Sequence, residues 1–163
     1  MSEKKEKTSN TSETLDLNLI KSLRAETGAG VMDIKKALEE SGNEVSKAKL
    51  ILQKLGFEKA DKKSGRETGD GLVFSYVHAT GKTASLLVLN CETDFVAKTD
   101  DFQDLGREIA MQICAMSPKN VKELLSQAYI RDGSKTIEML VKEVIAKTGE
   151  NVKIGEFSRL SVN

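Results

Sequence analysis

Tryptophan is absent from the chain, proline and histidine each occur once, and aromatic residues make up 4% of the sequence. A composition this poor in aromatics suits a helix-rich soluble protein better than an all-β sandwich. Apolar runs of membrane-spanning length are also missing, so no membrane partner is expected. Neither charge sign dominates. Lys+Arg and Asp+Glu are both 25, and a formal charge of zero provides no overall field to draw the chain onto nucleic acid or anionic lipid. The two cysteines, Cys91 and Cys114, stand far apart without a CxxC pair or clustered histidine. That argues against a zinc site and for reduced, structural thiols. The start, "MSEKKEKTSNTSETLD", has no apolar segment resembling a secretory signal and few of the arginines of a transit peptide. It reads as a flexible tail, residues 1–16, on a cytoplasmic protein.

What is present is strong helical periodicity on a chain of 163 residues, enough for one compact domain or a small module tethered to a larger one. Leu19, Ile20 and Leu23 recur at helical spacing over residues 17–26, and "TGAG" supplies a stop. Ile34, Ala37 and Leu38 mark a second helix over residues 32–40. After "SGN", with Asn43 as its cap, a third helix carries Val45, Ala48, Ile51, Leu52 and Leu55. These form a three-helix bundle over residues 17–57, too small for much core of its own and suited to docking. Residues 58–70, "EKADKKSGRETGD", are charged and read as a linker.

The remainder, residues 71–163, reads as an α+β domain. "GLVFSYVH" and "TASLLVLNC" alternate around "ATGK" as an antiparallel hairpin. Asp100 or Asp101 is placed to cap a helix with the stripe Phe102, Leu105, Ile109, Ile113 and Met116. A shorter helix over residues 121–128 follows, and then a helix after Ser134 with Ile137, Leu140, Val141, Val144 and Ile145. Residues 151–162 read as a closing strand. The expected architecture is a small helical bundle joined to a three-stranded antiparallel sheet covered by helices.

Few residues carry recognisable chemistry. "ATGKT" ends like a phosphate loop, but the glycine required five positions before Gly81 is Tyr76, so a hairpin turn is the better reading. Glu92, Asp94, Asp100 and Asp101 lack the alternating ligands and central glycine of a calcium loop. His78 has no nearby nucleophile in sequence. No catalytic residue, metal ligand or cofactor is assigned. There remains Phe95, a large aromatic between Asp94 and Val96 in the acid-rich stretch "NCETDFVAKTDDF". It either folds back into its own core beside Val96, or protrudes as an anchor for a partner's apolar pocket. Residue physics alone leaves both open.

Three stretches bear a family resemblance. "LRAETGAGVMDIKKALEESGNEVSKAKLILQKLG" resembles the N-terminal module of elongation factor Ts, a bundle of ubiquitin-associated type. "NCETDFVAKTDDF" resembles that family's core signature, and "GENVKIGEFSRLSV" is similar to the end of its core domain. The resemblance implies a guanine-nucleotide exchange factor for elongation factor Tu, acting on its GDP-bound and nucleotide-free forms by binding, without enzymatic chemistry. It implies that Thr93, Asp94, Phe95 and Val96 approach the partner's magnesium and phosphate site, with Phe95 as wedge and Asp94 as its polar companion. It further implies that Arg24, Val31 and Met32 dock the N-terminal module. Longer members carry a helical insertion between the equivalents of "AMSPKN" and "VKELL", and many duplicate half of the core. Neither is expected here, which leaves a monomer and a non-covalent homodimer both open. Two other readings remain: a helical adaptor, which has no need of the core signature, and a metal-dependent hydrolase built on the acids.

Overall fold

The structure, a computed structural model, describes residues 17–162; the tail expected over residues 1–16 lies outside them. Three helices come first, α1 (Leu17–Thr27), α2 (Val31–Glu40) and α3 (Val45–Lys63). Their apolar stripes meet in a small core of Ile20, Leu23, Ile34, Ala37, Leu38, Ala48 and Leu52. Asn43 does not cap α3. It sits in the left-handed region at φ 63°, and Glu44 takes the N-cap position without a side-chain cap bond.

The expected linker differs most from what is found, because α3 continues to Lys63. Its C-terminal half lies along α7 (Ile137–Thr148). A Cβ added to Gly56 would meet the Ala146 Cβ at 3.0 Å, so glycine here allows the two helices to approach closely. Around that crossing Gln53 Nε2 donates to Glu143 Oε1 at 3.3 Å, and Lys142 Nζ meets Asp61 Oδ1 at 2.8 Å. Ala60 is buried in the main core. The first part of the charge run thus forms the last turns of α3, where Ala60 alone is buried, so no large apolar side chain marks it.

The main core lies between helices and a three-stranded antiparallel sheet of order β1 (Asp70–Val77), β2 (Thr83–Cys91), β5 (Val152–Ser161). The β1–β2 turn closes with His78 N–H donating to the Thr83 carbonyl at 2.9 Å. On the inner face Leu87 and Leu89 of β2 are fully buried, and Phe74 of β1 packs against the same cluster. Onto them pack Phe102, Ile109 and Ile113 of α5 (Asp100–Met116) and Ile137, Val141 and Ile145 of α7. Each such side chain contributes about 1.5–3 kcal/mol relative to exposure. The outer face of the sheet carries Val73, Val77, Leu86 and Leu160, all exposed.

Helix ends depart from expectation in detail. Thr99, not Asp100 or Asp101, is the N-cap of α5, its side chain accepting from the Phe102 amide. The two acids occupy the first turn, where they complement the helix dipole. Thr136 caps α7, accepting from the Met139 amide at 3.2 Å. Between α6 (Val121–Ser126) and α7 runs an unanticipated ribbon, β3 (Ala128–Tyr129) and β4 (Asp132–Thr136), too short and polar to show alternation. Buried Gln112 secures it: its Oε1 accepts from Ile130 N–H at 3.0 Å, and its Nε2 donates to the Ala128 carbonyl at 3.1 Å. Among the described residues no helix is long and apolar enough to cross a membrane.

Candidate functional site

Strand β2 ends on Cys91, whose side chain is buried in the main core. Its thiol donates to the Thr93 carbonyl at 3.1 Å, and burial pushes its pKa up. Cys114 is buried as well, and both cysteines are free. The chain then turns into α4 (Asp94–Ala97), a four-residue helix absent from the sequence reading. A helix this short has no stability of its own and is held by its surroundings. Val96 and Ala97 supply one hold, being 7% and 3% exposed within the main core. Successive helical side chains point about 100° apart, so burying Val96 turns Phe95 away from the core. Phe95 is 77% exposed. It does not fold back; the chain leaves uncovered a ring whose burial contributes about 1.5–3 kcal/mol.

The second hold is a pair of hydrogen bonds to a carboxylate. Thr93 stands at the N-cap position of α4 in extended conformation, yet its side chain makes no cap bond. Its hydroxyl donates instead to Glu150 Oε1 at 2.7 Å, and its backbone N–H donates to Glu150 Oε2 at 3.0 Å. Glu150 lies just beyond Gly149, which ends α7 in the left-handed region at φ 80°. The neighbouring residues repeat the tie: Asn151 N–H donates to Glu92 Oε1 at 2.6 Å, and Asn151 Nδ2 donates to the Arg66 carbonyl at 2.7 Å. The Asn151 amide holds the Glu92 carboxyl below the usual carboxylate range, helped by Arg66 at 3.4 Å. Sequence reasoning missed Glu150 and Asn151 as parts of this site. They are separated from it by more than fifty positions, and only the adjacency of β2 and β5 brings them together.

On the outer side of α4, Asp94 Oδ2 meets Lys98 Nζ at 2.6 Å across one turn. That hydrogen bond holds the Asp94 carboxyl below the ordinary aspartate range and raises Lys98. Both are exposed, so the pair contributes little to stability. The acids do not converge. Glu92 binds Asn151, Asp94 binds Lys98, and Asp101 meets Lys147 at 2.8 Å. Among the described residues no group of three or more metal-ligating side chains is placed to hold an ion.

The other candidate residues lie on the helical module. Arg24 is exposed on the last turn of α1, and Val31 and Met32 open α2 at 36% and 65% exposure. Ile34, on the other side of α2, fills the module core. The α1–α2 turn rests on the C-terminal end of α7: Gly28 is left-handed at φ +67°, and a Cβ there would lie 2.8 Å from Lys147 Cα. Glu150 follows three residues after Lys147. The module's turn and the clamp under Phe95 therefore flank the same end of one helix.

The fold combines a helical module and an antiparallel α+β core, each presenting apolar side chains to solvent at the start of a helix. A family model described as elongation factor TS matches residues 92–163. Elongation factor Ts of Leptospira biflexa is 45% identical over 188 residues, covering 88% of this chain and 95% of the relative. The protein of that name from Coprothermobacter proteolyticus is 40% identical over 190 residues, with 89% and 96% covered, and that from Thermotoga neapolitana 39% over 191, with 91% and 97%. The chain belongs to the elongation factor Ts family, whose members act in translation elongation. An alignment of 188 positions exceeds this chain's own 163, so the Leptospira relative carries residues within the match that this chain lacks.

Proposed function

We propose that this protein is a guanine-nucleotide exchange factor for elongation factor Tu, acting in the cytoplasm by binding and without enzymatic chemistry of its own. The carrying observation is Phe95, a large aromatic 77% exposed on a turn whose next residue is buried. An aromatic held rigidly at low conformational cost is the kind of residue that dominates an interface once a pocket covers it. In this reading Thr93, Asp94, Phe95 and Val96 form the segment that approaches the partner's magnesium and phosphate site. Phe95 inserts, Asp94 engages polar groups beside the nucleotide, and Val96 serves from within by fixing the turn. Arg24, Val31 and Met32 form the second contact.

The mechanism is linkage. A wedge that the partner accommodates only when its magnesium site is disturbed weakens nucleotide binding, and by the same coupling free energy the nucleotide weakens binding of the factor. Magnesium offsets phosphate charge, so displacing its ligands loosens GDP in particular. GTP rebinding then expels the factor.

The test is release of fluorescent GDP from elongation factor Tu. The wild-type chain accelerates it, and Phe95→Ala loses roughly thirtyfold or more of that acceleration, the size of an interface hot spot. Absence of acceleration by the wild type would refute the assignment.

The uncovered outer face of the sheet favours one further element, a homodimer. Val73, Val77, Leu86 and Leu160 are exposed together on adjacent strands, paired with uncharged neighbours including Ser75, Ala84 and Ser158. A second copy offers the same apolar patch and closes it by two-fold packing. Leu86→Lys should convert a dimer to a monomer in sedimentation equilibrium; a wild type that sediments as monomer at all concentrations removes this element.

A further inference from the structure

Glu150 accepts two hydrogen bonds from Thr93, one from the hydroxyl and one from the backbone N–H, and it does so with both carboxylate oxygens at once. It lies on the loop between α7 and β5 and is half-buried. What it grips is the entry to α4. The Thr93 hydroxyl is diverted from the capping bond that threonine ordinarily makes, so the N-terminus of this four-residue helix is oriented from outside. One residue further comes Asp94, and the next is Phe95.

We infer that Glu150 is a positioning residue for nucleotide exchange, fixing through Thr93 the direction in which Phe95 leaves the surface. This rests on the exchange-factor reading and extends it to a residue more than fifty positions from the segment that inserts. Two holds act on α4 from different sides. Val96 and Ala97 in the core set its depth, and the Glu150 carboxylate sets its entry angle. Rotation of the turn about the buried pair is set at Thr93, where the Cys91 thiol holds the carbonyl and Glu150 holds the hydroxyl and the N–H. A charged acceptor of two hydrogen bonds is stronger and more directional than a neutral one, which suits a hinge that must not move while a ring is pushed into a partner.

The experiment compares wild type, Glu150→Gln, Glu150→Ala, Thr93→Val and the double variant Thr93→Val with Glu150→Ala. Two readouts are used: fluorescent GDP release from elongation factor Tu across factor concentrations, and amide hydrogen exchange of the free protein. Glu150→Ala is expected to lower the maximum release rate about tenfold, with Glu150→Gln in between because its amide oxygen still accepts one bond. The concentration giving half-maximal effect should change far less, since Arg24, Val31 and Met32 are untouched. In the free protein the Thr93 amide should exchange at least about tenfold faster while amides of α5 keep their protection. In the free protein, where no partner contact intervenes, the double variant should lose no more Thr93 protection than Glu150→Ala alone, because the two act through one contact. Full exchange activity in Glu150→Ala would overturn the inference, as would additive losses of that protection or loss of protection across α5, which would mark a merely structural role. If even the wild type fails to release GDP, the exchange assignment falls, and an unchanged Thr93 amide in Glu150→Ala overturns the clamp separately.

Discussion

Phe95 and Met32 are both large, exposed and placed within two residues of a helix start, yet the molecule supports them differently. Phe95 rides on four helical residues tied from two directions, by burial of Val96 and Ala97 and by the Glu150 carboxylate. Met32 rides on a helix of ten residues that stands within its own small core. The module is then positioned as a body, through Gly28 against Lys147 and Gly56 against Ala146. One surface is aimed residue by residue, and the other by docking a preformed bundle. The contrast predicts that the first fails locally and sharply, the second by degrees.

The largest effect should follow from Phe95→Ala: a loss of roughly thirtyfold or more in catalysed GDP release, with the thermal midpoint almost unchanged because the ring makes little use of its own core. A substantial fall in the midpoint would place Phe95 among packing residues and erase the contrast. Next comes Gly28→Ala, which forces a side chain into a left-handed position 2.8 Å from backbone. It should destabilise by about 1–3 kcal/mol in urea titration and raise the half-saturating factor concentration more than it lowers the maximal rate. Met32→Ala should weaken that same concentration dependence by only a fewfold, leaving the maximal rate intact, as for one contact among several.

The smallest change should come from Lys98→Ala. Asp94 loses the hydrogen bond that holds its carboxyl low, so its NMR-monitored titration should move up toward the ordinary value of 3.8. The sign follows from linkage. A carboxyl depressed in the folded state contributes stability above the unfolded value and loses it as pH falls through the folded one. The wild type should therefore differ from Lys98→Ala in pH dependence only in the acid range, below about pH 4. A difference confined to neutral pH would mean that Asp94 has another partner.

Much of the fold was legible because its helices carry regular stripes and its three long strands alternate. Ile34, Ala37 and Leu38, or Val141, Val144 and Ile145, needed only the 3.6-residue period to be assigned inward. The end of α3 was not legible, since beyond Phe57 only Ala60 is buried, and an alanine among lysines and acids leaves no periodic mark. The β3–β4 ribbon was hidden for a similar reason: it is held by Gln112, whose role depends on a contact from α5 to residues far along the chain. In the candidate site the segment itself stood out by its composition. Its supports, Glu150 and Asn151, did not, because their partners are assembled by strand pairing.

By itself the sequence determined that a helical bundle precedes an antiparallel sheet with helices on one face, since periodicity follows from local geometry that each segment carries. It also determined that an aromatic stands in the turn after the second strand. Which way that aromatic faces was decided only by tertiary structure. The core has room for Val96 and Ala97 at the α4 turn, Glu150 grips Thr93 from the far end of the chain, and between these two constraints the one direction left to Phe95 is outward.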